Sequence, residues 1–410
     1  MINKIQSLEE RALYYHEHPI PGKLAISLTK STESQDDLSL AYTPGVAAPV
    51  MQIFNNPENV FRYTAKGNLI AVITNGSAVL GLGNVGPLAS KPVMEGKAVL
   101  FKRFADLDVF DLEIDAADPF ALIEIVKGLS PTFGGINLED IKAPECFIVE
   151  EALVKQLNIP VFHDDQHGTA IVIAAALLNA LELQGKKLSE VQIVCVGAGA
   201  AGIASMRLLL HIGAKLDNIL LLDSKGVVSA ERADVNRYKA IFARQTNKLT
   251  LADAIVDADV FIGLAKPNLL TSELLKLMAA KPIVFALSNP DPEIRPEIAH
   301  QCRSDLIVAT GRSDYSNQVN NLLCFPYIFR GALDVRARCI NQAMHIAAVE
   351  AVRNLVHESV PQIVKDNYPN AKQWDFCSEY ILPKPIDPRL RDAVSTAVAN
   401  AARATGVAEK

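Results

Sequence analysis

An α/β fold with a largely parallel sheet is predicted for this chain by three observations. Short β-branched apolar runs alternate with helical segments from about residue 168 to about residue 320. One such run, Val191 to Val196, leads directly into the glycine-rich loop Gly197-Ala198-Gly199-Ala200-Ala201-Gly202. A further run, Ile219 to Leu222, ends in Asp223, about 20 residues beyond the last glycine.

The strand and loop make sense together with the segment after them. Ile203 to Ile212 reads as a helix stopped by Gly213. A helix beginning at such a loop points free N–H groups and the positive end of its dipole at a pyrophosphate, while the distant acid meets a ribose. This is half of a Rossmann-type dinucleotide-binding unit. Gly81-Leu82-Gly83-Asn84-Val85-Gly86 carries the same G-x-G-x-x-G spacing, with Asp106 and Asp108 at a similar distance. Its surroundings predict something else. Pro87, Pro92 and Gly96 are expected to interrupt a following helix, and Asn75-Gly76, between the runs Leu69 to Ile73 and Val79-Leu80, reads as a hairpin turn. The second loop is therefore the expected cofactor loop.

Composition narrows the class. The chain has 410 residues, half of them hydrophobic, which is enough for two or three domains with substantial cores. With 40 basic and 46 acidic residues and no Lys/Arg cluster, a nucleic-acid partner is not expected. The N-terminal segment is amphipathic and lacks the apolar core of a signal peptide. The most apolar run, Thr169 to Leu178, is too short to span a bilayer, so no membrane partner is expected. Six cysteines without C-x-x-C spacing fit reduced thiols, and a cytoplasmic location is the expectation.

Three regions differ in texture. Residues 1–165 mix strands and helices and hold most of the polar motifs, residues 166–320 carry the dinucleotide unit, and residues 321–410 are mainly helical around a proline-rich stretch. Two carboxylate pairs stand out. Glu139 and Asp140 lie in "NLEDIKAP", and Asp164 and Asp165 follow an apolar run in "VFHDDQHG". Oxygen ligands of this kind suit Mg²⁺ or Mn²⁺. Each pair also reads as a helix cap, one for a helix near Ile141 and one for a helix from Gly168. His163 and His167 flank the second pair, but without cysteine or an H-E-x-x-H pattern a zinc site is not expected. Lys97 precedes an apolar run and is placed at the start of a strand or helix, facing a cleft. Tyr42 stands before a Thr-Pro-Gly turn.

Seven segments, "AYTPGVA", "GLGNVGPLASKPVMEGKAVLFK", "EDIKAPECF", "VFHDDQHGTAI", "GAGAAG", "LSNP" and "GRSDYSNQVNNLLCFPYIFRGALDV", in this order, resemble the bacterial malic enzymes over nearly the whole chain. The resemblance implies an N-terminal substrate domain, a Rossmann NAD(P) domain and C-terminal helices returning to the first. It implies oxidative decarboxylation of L-malate to pyruvate and CO₂ with NAD or NADP and Mg²⁺ or Mn²⁺. A malolactic enzyme, which makes lactate and retains its NADH, and a catalytically silent nucleotide sensor are the alternatives.

Roles follow from the same resemblance. Lys97 would take the malate C2 hydroxyl proton and Tyr42 would protonate C3 of the enol. Glu139, Asp140 and Asp165 would hold the metal, with Asp164 assisting. Asn289 and Asn321 would bind the malate carboxylates, and Asn320 would lie near the nicotinamide. As a base at neutral pH, Lys97 needs its pKa lowered by a nearby cation and a desolvated cleft. The segment just before the first glycine loop, Asn75-Gly76-Ser77-Ala78-Val79, holds no arginine, so carboxylate recognition is expected to rest on Ser77, backbone amides and the asparagines. Asp223 alone favours NAD, whereas Lys225 two residues on suits a 2′-phosphate, and NADP is the expected cofactor. A homodimer or larger assembly is implied, with malate in a cleft between domains. The extension carried by some longer relatives is not expected after Lys410.

Overall fold

The computed structural model describes residues 7–79, 81–369, 371 and 373–410. Leu80, from the expected Val79-Leu80 run, and the first six residues of the amphipathic N-terminal segment lie outside them. Four helices come first: α1 (Leu8–Glu17), α2 (Gln35–Ala41), α3 (Ala47–Asn55) and α4 (Val60–Tyr63). None of the four buries a residue.

The first sheet is built from β1 (Leu69–Thr74), α5 (Gly86–Ala105), β2 (Asp108–Glu113), α6 (Pro119–Leu129), β3 (Gly135–Leu138), α7 (Glu145–Gln156) and β4 (Val161–His163). Its order is β2-β1-β3-β4 and all pairs are parallel. The expected hairpin at Asn75-Gly76 is therefore absent. Every residue of β1 is buried, and the strand pairs in parallel on both sides, which requires crossovers rather than a tight turn.

The expected interruption after Gly86 is also corrected, because α5 runs for 20 residues through Pro87, Pro92 and Gly96. Pro87 sits in the first turn, where its missing N–H has no helical partner to lose. Pro92 lies inside, and the Lys23 ammonium bonds its carbonyl at 2.6 Å. The buried stripe Ser90, Met94, Lys97, Ala98, Phe101 and Ala105 has helical spacing, and its packing outweighs the local cost. Lys97 is thus inside a helix rather than at the start of an element.

A five-residue π turn, Asp164–Gly168, joins β4 to α8 (Thr169–Gln184). Turn and helix together make 21 residues, long and apolar enough by length and composition alone to cross a membrane, with the apolar run Thr169 to Leu178 as its middle part. Most of it is buried as a core helix of the protein.

The second sheet comprises β5 (Ile193–Val196), α9 (Ala200–His211), β6 (Ile219–Asp223), β7 (Gly226–Val227), α10 (Leu251–Ile255), β8 (Val260–Gly263), α11 (Ser272–Lys276), β9 (Ile283–Ala286), α12 (Pro296–Cys302) and β10 (Ile307–Thr310). Its order is β10-β9-β8-β5-β6-β7, parallel except for the short β7. The strand order reverses around β5, the position where doubly wound sheets open a ligand crevice. The helix after the loop starts at Ala200, three residues before the expected Ile203.

Four more helices close the chain: α13 (Phe325–Asp334), α14 (Gln342–Asn354), α15 (Gln362–Asn367) and α16 (Arg389–Ala404). They return to the earlier part of the chain, α13 packing on α5 and α14 on α8. Phe101 meets Phe325 and Phe329 edge to face at 4.9 and 5.4 Å, and Phe162 meets Phe329 at 5.9 Å.

Candidate active site

Strand ends gather the chemistry. Glu139 and Asp140 follow β3 and Asp164 and Asp165 follow β4, so all four acids lie at the carboxyl ends of neighbouring parallel strands. The capping alternative fails for both pairs. No helix starts at Ile141; α7 begins at Glu145 after Pro144, and Asp140 is a turn residue with φ 53°. The second pair lies within the π turn, and α8 begins without a side-chain cap.

Ligand oxygens of Glu139, Asp140 and Asp165 all lie within 4.8 Å of one another. Asn137, on the same face of β3 as Glu139, donates to Glu139 at 2.8 Å, and the Asp140 N–H donates to Asp165 at 2.8 Å. The two histidines stay out of this group. His163 Nδ1 is 3.7 Å from Asp165, and burial pushes its pKa down to about 4, so the ring is neutral. His167 Nε2 turns away to Glu150 at 2.8 Å.

Lys97 is buried among these acids. Its ammonium donates to Asp164 Oδ2, lies 2.9 Å from Glu139 Oε1 and sits 4.0 Å from the centre of the Phe325 ring. Asn321 Nδ2 donates to the same Asp164 oxygen. The other oxygen of Asp164 is buried with no hydrogen-bond partner among the described residues. Burial raises Glu139 to about 7 and Asp164 and Asp165 to about 6 against the pull of Lys97. Burial alone would lower Lys97, but the carboxylates of Asp164 and Glu139 hold it above the ordinary lysine range. The expected lowering is therefore not present while the acids remain unbalanced. Three converging carboxylates, two of them buried, with an orphaned acceptor beside them suit a hard divalent cation.

The first glycine loop borders this group. Ser77 Oγ donates to Asn75 Oδ1 at 2.6 Å and accepts from the Lys142 N–H at 3.0 Å, and the Ala78 N–H bonds the Asp140 carbonyl at 2.9 Å. Gly81 has φ 76°, and a Cβ there would lie 3.0 Å from the Asn289 carbonyl oxygen. The loop is thus seated against the "LSNP" segment, whose Asn289 is exposed beside it. Asn320 caps the short helical turn starting at Asn321. Tyr42 is not hydrogen-bonded to the cluster: it caps the C-terminus of α2 and is 75% exposed.

The second loop lies between β5 and α9, and α9 packs against the π turn that carries Asp164 and Asp165. A Cβ on Gly202 would fall 1.9 Å from the Gly197 carbonyl oxygen. Gly202→Ala is accordingly expected to spread the loop and raise the Kd for the dinucleotide at least tenfold, read by nicotinamide fluorescence, while Mn²⁺ binding is kept.

At the end of β6, Asp223 is not free. Arg232 grips both of its oxygens at 2.9 Å, Lys239 donates at 2.7 Å and the Lys225 N–H at 3.0 Å. Burial would raise Asp223, but these donors hold it down at about 2. The Lys225 ammonium pairs with Asp234 at 2.8 Å. Arg232 and Lys239 are not legible as site residues in the sequence, since nothing there ties residues 9 and 16 positions on to an acid at a strand end.

A model described as malic enzyme, NAD binding domain, matches residues 166–382, and one described as malic enzyme, N-terminal domain, matches residues 21–122. The chain belongs to the malic enzyme family. It is 59% identical over 401 residues to an NADP-dependent malic enzyme of Halomonas elongata, covering 98% of this chain and 95% of that one. It is 54% identical to an NADP-dependent malic enzyme of Escherichia coli, covering 98% of this chain but 53% of that protein, so it spans about half the length of this longer relative. An NAD-dependent malic enzyme of Rhizobium meliloti is 53% identical over 98% of this chain and 52% of its own length. The malic enzyme structure from Pyrococcus horikoshii superposes with a TM-score of 0.90 at 44% identity, covering 98% of this chain and 92% of that one. Malic enzymes of both cofactor types thus lie at similar distance.

Proposed function

We infer that this malic enzyme oxidises and decarboxylates L-malate to pyruvate and CO₂ with reduction of a nicotinamide cofactor. The observation that carries the reading is the buried ammonium of Lys97 set among Glu139, Asp164 and Asn321, next to a cation-sized group of carboxylate oxygens. Glu139, Asp140 and Asp165 would hold Mg²⁺ or Mn²⁺, which supplies positive charge beside the substrate oxygen that turns negative during oxidation and decarboxylation. With Glu139 and Asp165 engaged by the cation, Lys97 loses two of the three carboxylates that raise it while burial still lowers it, which would bring its amine toward taking the C2 hydroxyl proton. Asp164, bonded to both Lys97 and Asn321, would orient the amine and relay the proton. Asn289 and Asn321 would bind the malate carboxylates, with Ser77 fixing the loop beneath them and Asn320 placed for the nicotinamide ring.

Tyr42 would return a proton to C3, and its exposure says what the site still needs. The helices α1–α4 bury nothing, and Leu13, Ile20, Ile26, Leu28, Leu40 and Phe54 are exposed in this part of the chain. Such an apolar surface is suited to a second copy of the chain, as expected for a homodimer, and covering it would desolvate Tyr42.

NADP is the proposed cofactor. Lys225, Arg232 and Lys239 outnumber Asp223 and Asp234 around the ribose position, and Asp223 is already engaged. Arg232→Ala frees that carboxylate to bond ribose hydroxyls and repel a 2′-phosphate. The ratio of kcat/KM for NADP to that for NAD should fall about 10–100-fold, as for loss of a charge-assisted hydrogen bond. The function itself is tested by following reduced nicotinamide with L-malate and Mn²⁺ while assaying pyruvate and lactate. Pyruvate equal to reduced cofactor supports the reading, and lactate without reduced cofactor supports the malolactic alternative.

A further inference from the structure

One buried carboxylate holds the turn that carries half of the acid cluster. Glu150, on α7, is 8% exposed, and its two oxygens take three hydrogen bonds from the residues around Asp164 and Asp165. Oε1 accepts from the His163 backbone N–H at 3.0 Å and faces His167 Nε2 at 2.8 Å, and Oε2 accepts from Gln166 Nε2 at 3.0 Å. These donors flank the two aspartates on both sides. The turn has no capping side chain of its own, so without Glu150 the His163 N–H has no acceptor from within it.

The need for an external hold is electrostatic. Glu139, Asp164 and Asp165 repel one another; the Lys97 ammonium offsets this at the side chains, while Glu150 holds the turn itself through the His163 N–H, Gln166 and His167. The partners of Glu150 are themselves fixed: Gln166 is buried, and the His167 ring packs against His345 at 4.7 Å and Phe162 at 5.6 Å. We propose that Glu150 is a positioning residue for the metal centre, holding the Asp164–Asp165 turn in its cation-binding shape. It touches neither the proposed ligands nor Lys97, and it acts only through the backbone and side chains of that turn. This rests on the metal-dependent reading above.

Glu150→Gln keeps the volume but presents an NH₂ to at least one of three donors. The Kd for Mn²⁺, read from the paramagnetic resonance of free Mn²⁺, is expected to rise about 10–100-fold, the range for loss of a group that orients a ligand. The Kd for NADP should stay within about twofold, and saturating Mn²⁺ should recover most of kcat while the KM for malate stays raised. A purely structural role would lower the melting temperature without separating Mn²⁺ affinity from NADP affinity. Gln166→Leu, which removes one of the three donors, should give a smaller loss of Mn²⁺ affinity in the same direction and guards against misfolding of the first variant. Wild-type Mn²⁺ affinity in both folded variants would overturn the proposal while leaving the enzyme reading intact. A wild-type protein that neither binds Mn²⁺ nor turns over malate would overturn both.

Discussion

Lys97→Ala is expected to lower kcat for malate oxidation by about 10²–10⁴, the range for loss of a general base. NADP binding should be unaffected, because the second glycine loop and Asp223 lie on other elements. Lys97→Arg should be nearly as inactive, since a guanidinium keeps its proton at any working pH. The variant without the ammonium leaves Glu139 and Asp164 buried and uncompensated, which they answer by staying protonated to higher pH. A steady-state assay beside a fluorescence titration of NADP separates these effects. Activity retained in Lys97→Ala would mean that another group takes the proton.

Removal of the metal has the second large effect. Chelation should abolish turnover reversibly, and the dependence on pH has a defined sign. With Glu139 at about 7 and Asp164 and Asp165 at about 6, against about 4 in an unfolded chain, the native protein without cation binds more protons than the unfolded chain between roughly pH 4 and 7. Its stability should therefore fall as pH rises through that window. A divalent cation binds the deprotonated native site, so the rise in melting temperature on adding Mn²⁺ should be small at about pH 5 and larger at about pH 7.5. In the cation-free protein Lys97 adds nothing to this slope, since its raised pKa keeps it charged across the window. An increment independent of pH would mean that the cation binds elsewhere.

How far the sequence can be read depends on the range of the interactions involved. The β5–loop–α9 unit is legible because strand, loop and helix are contiguous and Gly202 is required by a contact five residues away. The four acids are legible as types, and the fold, not the sequence, rules out the capping alternative. The first loop misleads because Pro87, Pro92 and Gly96 weigh as local breakers, while the stripe Met94, Lys97, Ala98, Phe101 is stabilised by α13 and β2 from elsewhere in the chain. Lys97 inside that apolar stripe is itself the signal, since a lysine on a buried face needs partners. Asn137 can be found from strand alternation with Glu139. Glu150 cannot, because its role depends on α7 passing beside a turn 13 residues further on. Tyr42 is named through the resemblance alone, since in one chain it is 75% exposed.

The most direct test of the metal centre beside Lys97 is an equilibrium titration of Mn²⁺ by paramagnetic resonance, run on the wild-type protein and on Asp165→Asn at about pH 7.5. One equivalent of Mn²⁺ is expected to leave the free-ion signal in the wild type, and Asp165→Asn should bind it at least about tenfold more weakly, with NADP affinity unchanged. Equal Mn²⁺ binding by the two proteins would contradict this, and would place the cation away from Glu139, Asp140 and Asp165.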